Sequence, residues 1–536
     1  MPTKLLKRLL LILFLSTTPI FSQEGFVTGQ LIDKKNGEPI VYATIRVKDK
    51  AIGVISNLDG SFRIPEKFKD FGSILEISSM GYVSKDILVY DLSKYKTNII
   101  RLIPAIELLD EVVVEGFRKV RKRSTADKRM SASRIVARAI KNISLNYPTS
   151  PFAAIGYYRD FQMNENKYFN LNEALFEVWD QGFGALDYET TKIRIYEHKR
   201  NLDFPFDSVS EKPYDYRSRN KTIPGAYLDN YGGNEFTILR IHDALRNNAI
   251  AAYDYVNVFK NDFLKNHFFK KEDEVLLNNK KLYKISFIKN RGLVRIKGNL
   301  IISKENFAIH KLEYAMYSNY NRNVRKIERT KNRRQKEILF EIIVGYTPID
   351  GLMYPNYLSM KNAFKIKEPP KFIVNLVEYS LASKRFIISF NNIANEKDAV
   401  RKSNFKLKFK GKRVNIDKLV HIDDQVILYP NSKISKSLFG EISQALRNDN
   451  EVTDFLSVKI KDIKDINGNY VNEPFYREVR QYREFFVQRI LTELGAAPND
   501  SLYMNKNAPI FKNQPISRSL DFSDYWMNTP LPNIEE

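Results

Sequence analysis

Apolar and polar residues alternate along most of the chain. Val27-Thr28-Gly29-Gln30-Leu31-Ile32-Asp33 and Val41-Tyr42-Ala43-Thr44-Ile45-Arg46-Val47 carry the two-residue period of half-buried strands. Gly53–Ser56, Ser61–Pro65 and Ile74–Ser78 continue it. Asn36-Gly37-Glu38-Pro39 and Asn57-Leu58-Asp59-Gly60 are turn signals between these runs. Short strands at this spacing predict a small β-sandwich within residues 23–116. Gly60 and Gly81 stand where turns need backbone angles that other residues resist.

The period changes after a basic, polar linker at residues 117–130. From Ser131 to Asn146, Ile135, Val136, Ala139, Ile140 and Ile143 fall at helical spacing, with Ser131 or Ser133 as N-cap and Tyr147-Pro148 as terminator. Strand patterns then return at Ala153–Phe161, Tyr168–Val178, Lys281–Ile288, Gly298–Ser303, Ala308–Tyr317, Ile338–Tyr346 and Tyr354–Ala363. They predict a large antiparallel sheet within residues 131–370, one face covering the helix and the other meeting solvent or a ligand. Pro369-Pro370 interrupts the pattern, and residues 371–480 read as a further sandwich. Residues 481–536, with Tyr482–Gln488 and Trp526, are expected to pack back on the central domain. The fold class is therefore mainly β and multi-domain.

Composition narrows the setting. The 536 residues are 43% hydrophobic and 12% aromatic, enough for packed cores. The absence of Cys excludes disulfides, thiolate nucleophiles and Cys-ligated zinc. Lys4, Lys7 and Arg8, then Leu9–Leu15, then a polar stretch ending at Ser22, read as a secretory signal peptide over residues 1–22. The apolar run is too short for a spanning helix of about 20 residues. Its removal lowers the net charge from +23 to +20, and export argues against nucleic acid as a partner on compartment alone. Basic clusters lie at 118–123 and 322–336, to be read either as solvated segments or as sites for acidic surfaces.

Gly29-x-Leu31-x-Asp33, Gly37-Glu38-Pro39-Ile40, Gly53-x-x-Ser56-Asn57-x-Asp59-Gly60-Ser61-Phe62 and Ser79-Met80-Gly81-Tyr82, in that order, resemble the carboxypeptidase regulatory-like domain. The resemblance implies a non-catalytic, transthyretin-like sandwich of the kind found at the N-terminus of exported Bacteroidetes proteins. Leu109–Val114 resembles the TonB-box-like segment that follows this module in outer-membrane nutrient receptors; the alternative is a plain strand. The run from Tyr283 to Ile309 is similar to periplasmic lipoprotein-carrier half-barrels, and Asp465-Ile466-Asn467-Gly468-Asn469 to a turn of bacterial Ig-like domains.

Candidate chemistry is sparse. His310-Lys311-Leu312-Glu313 matches the His-x-x-Glu ligand pair of zinc carboxypeptidases, with His421 as a third ligand. On a strand, however, positions 310 and 313 face opposite sides, and His421 falls in another predicted domain. Gly-x-Ser-x-Gly and phosphate-binding glycine motifs are absent from the sequence. The Asp465/Asn467/Asn469 cluster reads as a turn rather than a calcium loop. The expectation is a non-enzymatic envelope protein without catalytic, cofactor or metal residues. Its central sheet would bind a hydrophobic or extended ligand or a protein partner, with peripheral attachment to the outer membrane. Alternatives are a zinc-carboxypeptidase-like hydrolase and an accessory factor of a TonB-linked transporter.

Overall fold

The computed structural model describes residues 25–105, 130–212, 218–222, 234–251, 256–318, 338–499, 502–517 and 524–531, apart from 49, 51, 71, 165–166, 219, 279, 292–293, 449, 493 and 495–496. The leader, Leu109–Val114 and both basic clusters lie outside the described residues. The chain divides into two units, one formed by residues up to 211 with 223–363 and 480–536, the other by 212–222 and 364–479.

In the first unit, residues 26–102 form two facing sheets. Phe26–Asp33 pairs antiparallel with Ser61–Pro65 and parallel with Asn98–Leu102. Thr44–Val47 lies between Ile52–Ile55 and Ile74–Ser78, with Lys85–Leu88 outside. The alternation works as read: Val27, Leu31, Ile45, Val54, Phe62, Ile64, Leu75 and Ile77 share one core. Gly60 and Gly81 both adopt positive φ, +76° and +87°, and a Cβ at Gly60 would stand 2.4 Å from the Leu31 carbonyl oxygen.

The large sheet, which lies in this unit apart from residues 364–368 and 475–479, follows a ten-strand path. In spatial order it runs Lys192–Arg200, Lys167–Asp180, Phe152–Asn164, Phe475–Leu491, Leu352–Glu368, Ile338–Ile349, Ile309–Ser318, Val294–Ile302, Lys280–Arg291 and Phe268–Lys271. The C-terminal segment thus does more than pack on the sheet. Phe475–Leu491 is a strand in its middle, antiparallel to Phe152–Asn164.

The two ends of the sheet are covered differently, and the burial pattern records it. In Val294–Ile302, Arg295, Lys297 and Asn299 keep contact with water while Ile296 and Leu300 are buried, as a strand with one wet face should. Tyr482–Val487 and Leu171–Asp180 are buried at every position, because both faces are covered. Tyr158, Phe176 and Phe485 meet Phe236 of the helix Glu235–Ile241 on one face, with ring centroids 4.8–5.3 Å apart. On the other face Tyr157, Phe486 and Tyr357 join Ile55 of the N-terminal sandwich.

The helix predicted from Ser131 spans Ala132–Lys141, with the Ser131 hydroxyl accepting from the Arg134 amide. It buries Ile135, Val136, Ala139 and Ile140. The second unit holds two sheets and a helix, Ser432–Arg447, whose Leu438, Phe439 and Ile442 join Phe386, Ile388, Leu407 and Leu428. Asn431 caps that helix.

Candidate functional site

Charged and polar side chains concentrate where the N-terminal sandwich meets the large sheet. Arg159 and Glu484 sit opposite each other on neighbouring strands, and both side chains are fully buried. Arg159 Nε donates to Glu484 Oε2 at 2.6 Å, and Nη1 donates to Asn57 Oδ1 at 2.6 Å. The guanidinium lies between the Phe161 and Phe486 rings, 5.2 and 5.1 Å from their centroids. Burial alone would depress its pKa; the Glu484 carboxylate reverses this and holds it above the ordinary value. Asn57 belongs to the Asn57–Gly60 turn, so a turn of the sandwich supplies a ligand to a charge buried in the sheet.

Tyr42 completes the network. Its hydroxyl donates to Glu484 Oε1 at 2.8 Å and lies 2.9 Å from Ser359 Oγ, while its ring stacks on Tyr357 at 5.4 Å. Burial and the Glu484 charge push its pKa well above the usual phenol value. Tyr42 holds φ at +58°, a conformation that costs roughly 1–3 kcal/mol for a bulky residue. The hydroxyl contacts and the stack offset that strain.

The C-terminal tail stitches the same junction. The Trp526 indole N–H donates to the Arg63 carbonyl at 2.8 Å and its ring packs 5.8 Å from Phe68. Asn528 donates to the Ile55 carbonyl and accepts from the Arg63 amide, both at 2.8 Å. On the sheet side, Gln488 donates to the Trp526 carbonyl, and Thr529 donates to Glu173, which also accepts from Tyr157 and Asn201.

Beside this junction a cleft of about 460 Å³ opens between the sandwich and the sheet. Tyr357, Met80, Leu277 and Met353 give it an apolar wall. Arg46, Asn356, Lys280 and His310 give it a polar rim, where Arg46 donates to Asn356 at 3.0 Å. The Gly81 amide, in the Ser79–Tyr82 motif, donates to the Leu276 carbonyl and fixes this edge of the sandwich to a hairpin of the sheet.

His310 sits at a break in register: Ile302 faces Ile309 while Ile301 faces Lys311, so His310 is an extra, bulged residue. Burial, aided by Lys280, lowers its pKa to about 4, and its Nδ1 has no hydrogen-bond partner. Glu313 lies in a different hollow, paired with Lys311 and accepting from Asn299, both at 2.7 Å. His421 is on Ile416–Ile422 of the second unit. Among the described residues no three His, Asp or Glu side chains are grouped as metal ligands. Asp465 accepts from the Asn467 and Asn469 amides and from the Asn469 and Asn392 side chains, which occupies both its oxygens in the turn.

A second buried charge cluster lies in the first unit, beneath the helix Glu235–Ile241. Arg240 bridges Asp180 and Asp187, and Arg246 grips Asp180 through Nε and Nη2. Burial works against the Asp187 charge, but Arg240 and Arg246 prevail and hold its pKa at about 2. With all four groups mutually satisfied, this cluster is architectural.

Sequence reasoning passed over Arg159, Glu484 and Tyr42. The usable signal was one charge of each sign inside the apolar runs Ala153–Phe161 and Tyr482–Val487.

Residues 27–114 match the family described as CarboxypepD_reg-like domain. They are a carboxypeptidase regulatory-like domain. This module supplies Tyr42, Arg46, Asn57 and Met80 to the junction and cleft. A stretch of 119 residues is 34% identical to the TonB-dependent receptor SusC of Bacteroides thetaiotaomicron. It amounts to 22% of this chain and 11% of the receptor, so the chain spans only a small part of that protein's length. A LolA superfamily protein from Nitrosomonas europaea aligns over 44% of this chain and 86% of its own at 13% identity, with a TM-score of 0.20, too low to carry an argument.

Proposed function

We propose that this chain is an exported, non-catalytic protein of the cell envelope that holds an amphipathic ligand between its regulatory-like module and its central sheet. The observation that carries this reading is the cleft itself. The apolar body of a ligand would lie against Tyr357, Met80, Leu277 and Met353, and a polar end would reach Arg46, Asn356 and Lys280. Such a division of one apolar wall and a few convergent polar groups is the common form of a small-molecule site. The buried Arg159–Glu484–Tyr42 network supports it by fixing both walls before a ligand arrives, which lowers the ordering cost of binding. The leader-like residues 1–22 and the similarity to a TonB-dependent receptor support the envelope setting. None of the helices among the described residues is long and apolar enough to cross a membrane, which fits peripheral attachment.

Titration of the purified chain with a fluorescent fatty acid tests this reading. One saturable site is expected, lost in Met80→Asp, which places a charge on the partly exposed apolar wall. Equal binding by that variant, or no saturable binding, overturns it.

A second reading, an accessory to a TonB-linked transporter, is favoured only by the similarity to the receptor. Co-purification of such a transporter with the tagged chain would support it.

A further inference from the structure

The large sheet has a face that the module does not reach. Its last four strands, Ile309–Ser318, Val294–Ile302, Lys280–Arg291 and Phe268–Lys271, carry a shallow hollow of about 830 Å³. Cross-strand register places the residues on it. Arg295 faces Tyr317, Lys297 faces both Ile288 and Ala315, and Phe268 faces Ile288.

Most charges in this hollow are already matched. Lys311 pairs with Glu313, Lys361 with Glu341 and Lys270 with Glu272. The end nearest Phe268 differs. Arg295 is half-buried: its Nε is covered and has no hydrogen-bond partner, so the guanidinium is not neutralised within the fold. Lys297 is exposed and lies 6.0 Å from the Tyr317 ring centroid, a cation–π contact that leaves its ammonium protons free for an anion. Phe268 is 75% exposed, a large cost in contact with water for a residue on a strand edge. The strand beneath it is firmly seated, since Phe269 meets Phe263 at 5.3 Å on the opposite face. In sequence, residues 319–337, which connect Ser318 to Ile338, carry eight Lys and Arg against two Glu.

An exposed aromatic ring beside unmatched cations is the chemistry of a lipid–water interface. The ring enters the headgroup layer and the cations meet phosphates. We propose that Phe268, Arg295, Lys297 and Tyr317 form a docking surface for anionic phospholipid. This surface specifies the peripheral attachment in the reading above. It rests on that reading's envelope setting and not on the cleft.

The test is co-flotation of the full chain with vesicles. Vesicles of phosphatidylethanolamine and phosphatidylglycerol should bind it, vesicles of phosphatidylcholine should not, and added salt should weaken the binding. At about 1 kcal/mol per surface cation, the double variant R295E/K297E should lose about a hundredfold in affinity or more. Phe268→Ser should also weaken binding, and circular dichroism should be unchanged in both variants. Both should still bind the fluorescent fatty acid, and Met80→Asp should still bind vesicles, so failure of one site is distinguishable from failure of the other. Equal binding to neutral vesicles, indifference to R295E/K297E, or binding only to soluble polyglutamate would overturn the proposal.

Discussion

Arg159 and Glu484 are 325 residues apart in sequence and 2.6 Å apart in the folded chain, with neither side chain exposed. Removing one partner strands the other charge in the interior. Arg159→Met or Glu484→Leu alone should each cost about 3–5 kcal/mol in urea unfolding. The double variant should cost less than the sum of the two by at least about 1 kcal/mol, since it leaves no unpaired charge. Strict additivity would contradict a coupled pair.

Trp526 is a clasp rather than a loose end. Trp526→Ala removes the ring against Phe68 and the donor to Arg63, and should destabilise the module by about 3–5 kcal/mol. Hydrogen exchange should accelerate at Ile55–Phe68 and leave the helix Ser432–Arg447 unchanged. Uniform acceleration throughout would argue against a local role.

Stability should depend on pH in a definite direction. Burial lowers the pKa values of His242, His267 and His310 from 6.5 to about 4. The unfolded chain therefore binds these protons first, and stability present above pH 6.5 is lost as the pH falls towards 4. His242, fully buried with Nδ1 against the Ile238 carbonyl, contributes up to about 3 kcal/mol. Asp160 acts in the opposite sense. Burial and Glu235 raise its pKa to about 7, so its contribution is full at low pH and lost as the pH rises from 3.8 towards 7. Thermal unfolding should show Tm rising from pH 4 to 6.5, less steeply in His242→Phe, and Asp160→Asn should stabilise only above about pH 4.

Gly298 is a packing requirement. A Cβ there would lie 2.2 Å from the Glu313 carbonyl oxygen and 2.3 Å from the Phe287 ring. Backbone cannot yield as a side chain can, so Gly298→Ala should cost about 1–3 kcal/mol in the same unfolding assay. A neutral effect would mean that the neighbouring strand shifts freely.

What could be read from the sequence was what local pattern controls. The alternation at Val27–Asp33, the turns at Gly60 and Gly81, and the Ser131-capped helix all rest on neighbours within a few residues. The strand Lys192–Arg200 and the helices Glu235–Ile241 and Ser432–Arg447 went unread, since tertiary packing decides them. Of Phe475–Leu491, sequence assigns residues up to 480 to the second sandwich and the rest to a segment packing back on the central domain, because its place between Phe152–Asn164 and Leu352–Glu368 depends on partners hundreds of residues away. The junction was illegible for the same reason: Tyr42, Asn57, Arg159 and Glu484 gain their meaning only once the module lies on the sheet. The expected opposition of His310 and Glu313 rested on a regular strand. The bulge at His310 breaks that regularity, yet the two side chains still open into different hollows.

The most direct test is native mass spectrometry of the intact chain purified from the envelope of its expression host. The account predicts a non-covalent adduct of one amphipathic molecule, released by organic solvent, absent from Met80→Asp and retained in a control variant, Leu376→Asp, altered at an exposed position of the second unit. A chain that carries no adduct, or the same adduct in all three forms, would contradict it.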